Sequence, residues 1–241
     1  MKIVFSPSKT MKHKDIRFST EEMINFPDKT KFLIEELKKF SKDEIEKIFK
    51  IKGNLLEETY NNIQNFENLE SFDTLALYDG VTFRQLETHS YSNKNFDYLN
   101  ENLFIFSALY GVLSPNTKIK PYRLDMSINF LEEENLYKFW KEEVNSYLTK
   151  FNEEIFINLA SKEFSKILDY KKFNVIDIEF RQLVDGKLKN ISTEAKKARG
   201  LLLNYLVINE VDDLEKIKEF KEAGYKFSEE DSSSNYFLFI K

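Results

Sequence analysis

Lys2-Ile3-Val4-Phe5-Ser6-Pro7-Ser8-Lys9-Thr10 is the stretch whose reading decides the fold. Residues 2–6 form a short run rich in β-branched and aromatic side chains that Pro7 cuts off, a pattern that predicts a buried strand leading into a loop over residues 7–20. In α/β proteins ligands gather where strands end, so Ser6 to Thr10 is the first candidate site. Its hydroxyls, exposed amides and Lys9 suit an anion such as phosphate, although the glycines and spacing of a Walker loop are missing. An ordinary strand-exit turn is the plain alternative. The region is also basic, since Lys2, Lys9, Lys12, Lys14 and Arg17 against Asp15 leave a surplus of four positive charges over residues 1–17.

Outward from this strand, Phe32, Leu33, Leu37 and Phe40 share one face at helical spacing and predict a helix over 29–40. Ser41 and Glu44 form a capping box ahead of Ile45, Ile48 and Phe49, so a second helix begins there and stops near Gly53. Leu55, Leu56, Thr59, Tyr60 and Ile63 mark a third, started by Asn54. Short apolar runs at 75–78, 103–109 and 155–160 read as buried strands, and 136–151 as a helix. Residues 174–184 alternate until Asp185-Gly186 signals a hairpin, with 187–192 as the returning partner. A long helix over 193–211 and a last strand over 236–240 complete the pattern. No repeat, linker or composition break divides the chain. Residues 1–241 are therefore expected to form a single compact α/β domain of mixed α+β character, a mixed β-sheet surrounded by helices with a helix-hairpin-helix-like insertion near 38–66.

Composition narrows the chemistry. At 41% hydrophobic and 32% charged the chain can bury a core, which argues against disorder. With no cysteine, thiol redox chemistry, disulfides and thiolate metal sites are excluded. His13 and His89 are the two imidazoles, too few and too scattered for a histidine-rich metal site, whereas a carboxylate-only site stays open. No metal and no cofactor is expected. No apolar run approaches a membrane span, and the first residues do not read as a signal peptide, so the chain is expected in the cytoplasm with no membrane partner. The net charge of −5 speaks against indiscriminate coating of nucleic acid, but a local basic face can hide within it.

Three further clusters could carry chemistry. Tyr122, Arg123 and Asp125 follow a sharp turn at Gly111 and the stiffening Pro121: arginine offers a planar fork for phosphate and tyrosine a stacking face, with an Arg123–Asp125 surface pair as the alternative. Lys196, Lys197 and Arg199 occupy the first turns of a helix, where the dipole disfavours cations, and Gly200 interrupts its interior. A bound phosphate would account for both, and so would a solvated face with a glycine at a helix crossing. Lys38, Lys39, Lys42, Lys47, Lys50 and Lys52 outnumber Asp43, Glu44 and Glu46 by three around the hairpin, where amides and lysines could meet duplex phosphates. A plain pair of antiparallel helices fits as well.

Read in order, Ser6-Pro7-Ser8-Lys9-Thr10, Gly80 with Leu86, Ser107-Ala108-Leu109-Tyr110-Gly111-Val112-Leu113, Pro121-Tyr122-Arg123-Leu124-Asp125-Met126, Ile157-Asn158-Leu159-Ala160-Ser161, Ala195-Lys196-Lys197-Ala198-Arg199-Gly200 and Asp231-Ser232-Ser233-Ser234-Asn235 resemble the signature segments of the bacterial YaaA peroxide-stress family. The resemblance spans the whole chain. It implies a role in resisting hydrogen peroxide by limiting intracellular iron and the DNA damage it causes, and a mixed α/β fold with a DNA-binding helix-hairpin-helix, which residues 38–66 match in place. The chain departs from the pattern in its single hairpin glycine and in Ser8, where alanine is common.

A cysteine-free chain with two histidines cannot be a thiol peroxidase, so any protection would be indirect. The leading expectation is that Lys9, Lys50, Arg123 and Lys197 line one cleft that holds DNA phosphates, on duplex DNA as partner, with Tyr122 against a base or sugar. The rival is an enzyme acting on a nucleobase or nucleotide, glycosylase- or lyase-like, with Lys9 or Lys197 as nucleophile and Asp79 or Asp125 as acid/base. A third reading, an adaptor using Glu132–Glu134, has only a solvated charge run behind it.

Overall fold

Ile3, Val4 and Phe5 are almost wholly enclosed, as a strand with helices on both faces requires, and they form the body of β1 (Lys2–Phe5). The computed structural model describes residues 1–16 and 18–241, so Arg17, counted above in the basic loop, lies outside the described residues. After β1 come α1 (Pro27–Lys38), α2 (Lys42–Phe49), α3 (Asn54–Gln64), β2 (Phe72–Asp73), α4 (Thr74–Leu77), α5 (Asn93–Asn102), β3 (Leu103–Ser107), β4 (Gly111–Leu113) and β5 (Lys118–Ile119). The second half carries α6 (Leu136–Leu148), β6 (Ile155–Asn158), α7 (Lys162–Ser165), β7 (Asn174–Val184), β8 (Lys187–Lys189), α8 (Ser192–Ile208), α9 (Leu214–Lys218), β9 (Lys226–Phe227) and β10 (Tyr236–Ile240).

Eight strands form one mixed sheet in the order β4-β3-β1-β6-β7-β10-β9, with β8 folded back on β7. The inner strands β3, β1, β6, β7 and β10 run parallel, while β4, β8 and β9 are antiparallel to their neighbours. The chain leaves β1 towards β3 on one side and leaves β6 towards β7 on the other. Their carboxyl ends thus open a crevice between them, the place where parallel sheets hold ligands.

The capping box at Ser41 and Glu44 forms with both hydrogen bonds in place. The α2–α3 turn passes through Lys50 and Gly53, both with positive φ. It is less separate than an insertion, because Ile45, Phe49, Leu56 and Ile63 join the main core.

The expected strand at 75–78 does not form. That segment is a single helical turn, α4, whose Thr74 amide and hydroxyl both donate to the Thr117 carbonyl and whose Leu75 amide donates to the Pro115 carbonyl. Four buried apolar residues read alike as strand or helix, and here the loop before β5 supplies the acceptors. Helix α5, not anticipated, starts at a reciprocal cap between Ser92 and Asn95.

Candidate functional site

The crevice between β1 and β6 is a cavity of about 270 Å³. Its walls come from the exit of β1 (Ser6 to Thr10), the loop Gly80 to Thr82, the segment Tyr122 to Asp125, the exit of β6 (Ser161, Glu163) and one face of α8 (Lys196, Arg199). Local bonds hold these pieces together. The Ser161 amide donates to Ser6 Oγ at 2.8 Å, clamping the two strand exits. The loop after β1 then lies along residues 76–79, with the Lys12 and Lys14 amides donating to the carbonyls of Leu77 and Ala76 and the Asp79 amide to that of Thr10.

Two glycines set how tightly the cavity closes. A Cβ on Gly80 would stand 2.5 Å from Ser8 Oγ, and one on Gly200 would stand 2.2 Å from the Thr82 carbonyl oxygen. Gly200 therefore lets the 80–82 loop press against α8. Its place in the helix interior is explained by this crossing.

Tyr122 does not offer the open stacking face expected of it. The side chain is buried, its hydroxyl sits 2.8 Å from that of Tyr78 and 2.7 Å from Ser107 Oγ, and its ring meets Tyr110 edge-on. Burial pushes its phenol up to about 12. Tyr122 is an anchor that fixes its neighbour Arg123 at the cavity wall.

Electrostatically the cavity is a positive hollow on an acidic molecule. Four cations, Lys9, Arg123, Lys196 and Arg199, face two carboxylates, Asp125 and Glu163. Lys9 pairs with Asp125 at 2.6 Å. Arg123, Lys196 and Arg199 have no hydrogen-bond or ion-pair partner among the described residues. Arg199 is the most exposed to this deficit, because its Nε is buried without an acceptor and burial lowers the guanidinium pKa, with Glu179 only partly offsetting it. Such a group calls for an anion. Glu163 is the converse case. Its Oε1 is buried without a donor, and burial followed by the Asp125 charge raises its carboxyl pKa.

Of the residues expected to converge, Lys9, Asp125, Tyr122, Arg123, Lys196 and Arg199 do so. Lys197 does not, since it lies on another face of α8 and pairs with Glu194 at 3.5 Å. Asp79 lies outside the cavity, where hydrogen bonds from Arg84 and Lys14 lower its carboxyl to about 2, so it is locked as a structural anion. None of the six hairpin lysines lines the cavity: Lys38, Lys39, Lys42 and Lys52 pair with Glu67, Glu36, Glu57 and Glu46. Lys50 caps α2 in the left-handed region, and Lys47 lies in its last turn. The single cleft expected of Lys9, Lys50, Arg123 and Lys197 is thus corrected to one of Lys9, Arg123, Lys196 and Arg199.

Glu163 was missed by sequence reasoning, and its only signal is its position just after a buried strand. Among the described residues no group of three or more His, Asp or Glu side chains is placed to hold a metal ion. No helix among them is long and apolar enough to cross a membrane.

Comparison with known proteins agrees with the segments quoted from the sequence. The family model described as peroxide stress protein YaaA matches residues 1–231. UPF0246 proteins of Fusobacterium nucleatum, Malacoplasma penetrans and Crocosphaera subtropica are 44%, 39% and 33% identical. Each alignment covers 100% of this chain and 99%, 99% and 100% of the relative, respectively. By both measures the chain belongs to the YaaA peroxide stress protein family.

Proposed function

We propose that this protein binds DNA as part of the peroxide-stress response and protects it indirectly, by limiting iron-dependent damage. The observation that carries the binding step is the buried, unpartnered guanidinium of Arg199 beside the equally unpaired Arg123 and Lys196, a set of donors that a phosphate backbone would satisfy. The indirect character follows from composition, since a chain with no cysteine and two histidines has no thiol to oxidise and few ligands for iron. The hairpin lysines that are already paired with carboxylates contribute less, because exposed ion pairs must be broken before they meet phosphate.

Fluorescence anisotropy with a labelled duplex, titrated from about 50 to about 300 mM salt, tests this reading. With three free cations the logarithm of affinity should fall by about 0.9 per phosphate for each tenfold rise in salt, a slope near −2.7. Arg123→Ala should shift that slope by about one phosphate. A flat response removes the proposal.

A second reading has an observation of its own. Glu163, whose carboxyl pKa is raised by burial and by the Asp125 charge, shares the cavity with the Lys9–Asp125 pair, so two carboxyl groups in different surroundings stand together there. This favours an enzyme acting on a nucleobase or nucleotide with Lys9 as nucleophile. Borohydride trapping of a covalent adduct on abasic DNA, lost in Lys9→Ala, would support it, and binding without trapping or turnover would leave a binding protein.

A further inference from the structure

A second cavity, of about 520 Å³, opens beside the first against residues 177–179 of β7 and the start of α8. Ser161, Lys196 and Arg199 line both, so the unsatisfied guanidinium borders two spaces. The wall formed by β7 is of a different kind. Asp177 Oδ1 accepts from Asn158 Nδ2 at 2.6 Å and from the Tyr170 hydroxyl at 2.9 Å. Asn158 Nδ2 also donates to the Tyr170 hydroxyl oxygen at 3.1 Å, closing a triangle that fixes the carboxylate. Asp177 Oδ2 accepts from no group among the described residues, and it is not among the fully buried atoms that lack a partner. Glu179, two residues on and on the same face of the strand, accepts through Oε2 from Arg181 at 2.9 Å and the Tyr236 hydroxyl at 3.0 Å, and its Oε1 faces the Lys162 ammonium at 3.8 Å. Asp177 is thus the carboxylate of this wall that has no cation beside it among the described residues and an oriented oxygen with a lone pair to spare.

We propose that this second cavity binds a ribonucleoside 5′-monophosphate, with its phosphate on Arg199 and Lys196, its ribose hydroxyls donating to Asp177 Oδ2, and its base against Tyr170. Each part answers a feature of the cavity. Two cations without an ion-pair partner among the described residues suit an anion, and the fork of Arg199 matches phosphate. A fixed carboxylate with a free oxygen is the usual acceptor for a ribose hydroxyl. Tyr170, 46% exposed, supplies an aromatic surface at the rim for a base. The volume falls in the range of small-ligand sites. Inorganic phosphate would leave the Asp177 wall unused, and a nucleoside would leave the cations unpaired. A deoxynucleotide lacks the 2′-hydroxyl donor, so the site distinguishes a free ribonucleotide from the DNA proposed for the neighbouring cavity. This inference stands apart from the DNA reading and does not require it.

Isothermal titration of the full chain with AMP, dAMP, ribose 5-phosphate, adenosine and inorganic phosphate decides the matter. AMP should bind most tightly and dAMP about tenfold or more weaker, as the loss of a hydrogen bond to a charged acceptor dictates. Ribose 5-phosphate should fall between AMP and inorganic phosphate, with adenosine weak. Asp177→Asn, shown to be folded by its unfolding transition, should abolish the preference for AMP over dAMP while leaving duplex DNA affinity unchanged. If that variant fails to fold, the ratio of AMP to dAMP affinity on the wild-type chain decides alone. Equal affinity for AMP and dAMP overturns the proposal. So does AMP binding no tighter than inorganic phosphate, no measurable binding of AMP, or a ribose preference that survives in folded Asp177→Asn.

Discussion

Replacing Arg199 with methionine should make the protein more stable and poorer at holding anions, and the two effects share one cause. The guanidinium is held in a largely enclosed place with Nε lacking any acceptor, and burial lowers its pKa, the mark of a charge that the fold does not repay. Leaving a buried polar group unsatisfied costs about 1–3 kcal/mol, and more when it is charged. Methionine fills much of the same volume without that cost. Against the gain stands a long-range attraction to Glu179, worth about 1 kcal/mol or less at the effective dielectric of a partly wet site. The net expectation is a stabilisation of about 1 kcal/mol, or a rise in Tm of about 2–4 °C for a chain of this length. Thermal unfolding followed by circular dichroism reads this directly. Adding duplex DNA should then raise the Tm of the wild-type chain by linkage but move the variant much less. If Arg199→Met instead loses more than about 1 kcal/mol while Arg199→Lys does not, the arginine is satisfied in the fold and is no anion site.

Three other outcomes follow from the geometry. Glu163 has a raised pKa, so its contribution to stability is complete below the unfolded value of 4.5 and is lost as pH rises through the folded one; Glu163→Gln should therefore stabilise the protein at pH 7, and urea melts should show that advantage shrinking towards pH 4. Asp79 is the opposite case: its pKa is depressed from 3.8 to about 2, so its contribution is present above 3.8 and is lost as pH falls through about 2. That depression corresponds to about 2.5 kcal/mol, which the solvent-exposed Arg84 partner screens to about 1–2, so Asp79→Asn should lower Tm by several degrees at pH 7 and by much less near pH 2. Gly200→Ala should destabilise by about 1–3 kcal/mol despite the better helix propensity of alanine, because its Cβ would collide with the Thr82 carbonyl; a stability gain in chemical denaturation would show that the loop yields.

The cavity combines residues whose positions a sequence discloses to different degrees, and the reason is geometric range. The strands at 174–184 and 236–240 and the Ser41 cap were legible because their signals lie within a few residues. The choice between Lys196, Lys197 and Arg199 was legible in principle: positions three apart share a helix face, so 196 and 199 face the cavity together while 197 turns to its own neighbour Glu194. Asp177 and Glu179 were similarly marked by strand alternation, which sets both on one face opposite Ile176 and Ile178. Alternation cannot say what that face meets. Which strand ends adjoin depends on β6 returning to pair with β1, more than 150 residues away in the chain, after β3 has already taken the other side. That pairing brings Ser161 against Ser6 and sets Glu163 beside Asp125, and no local pattern encodes it. The site is therefore a property of strand order, and the residues that sequence missed are those whose role depends on that order alone.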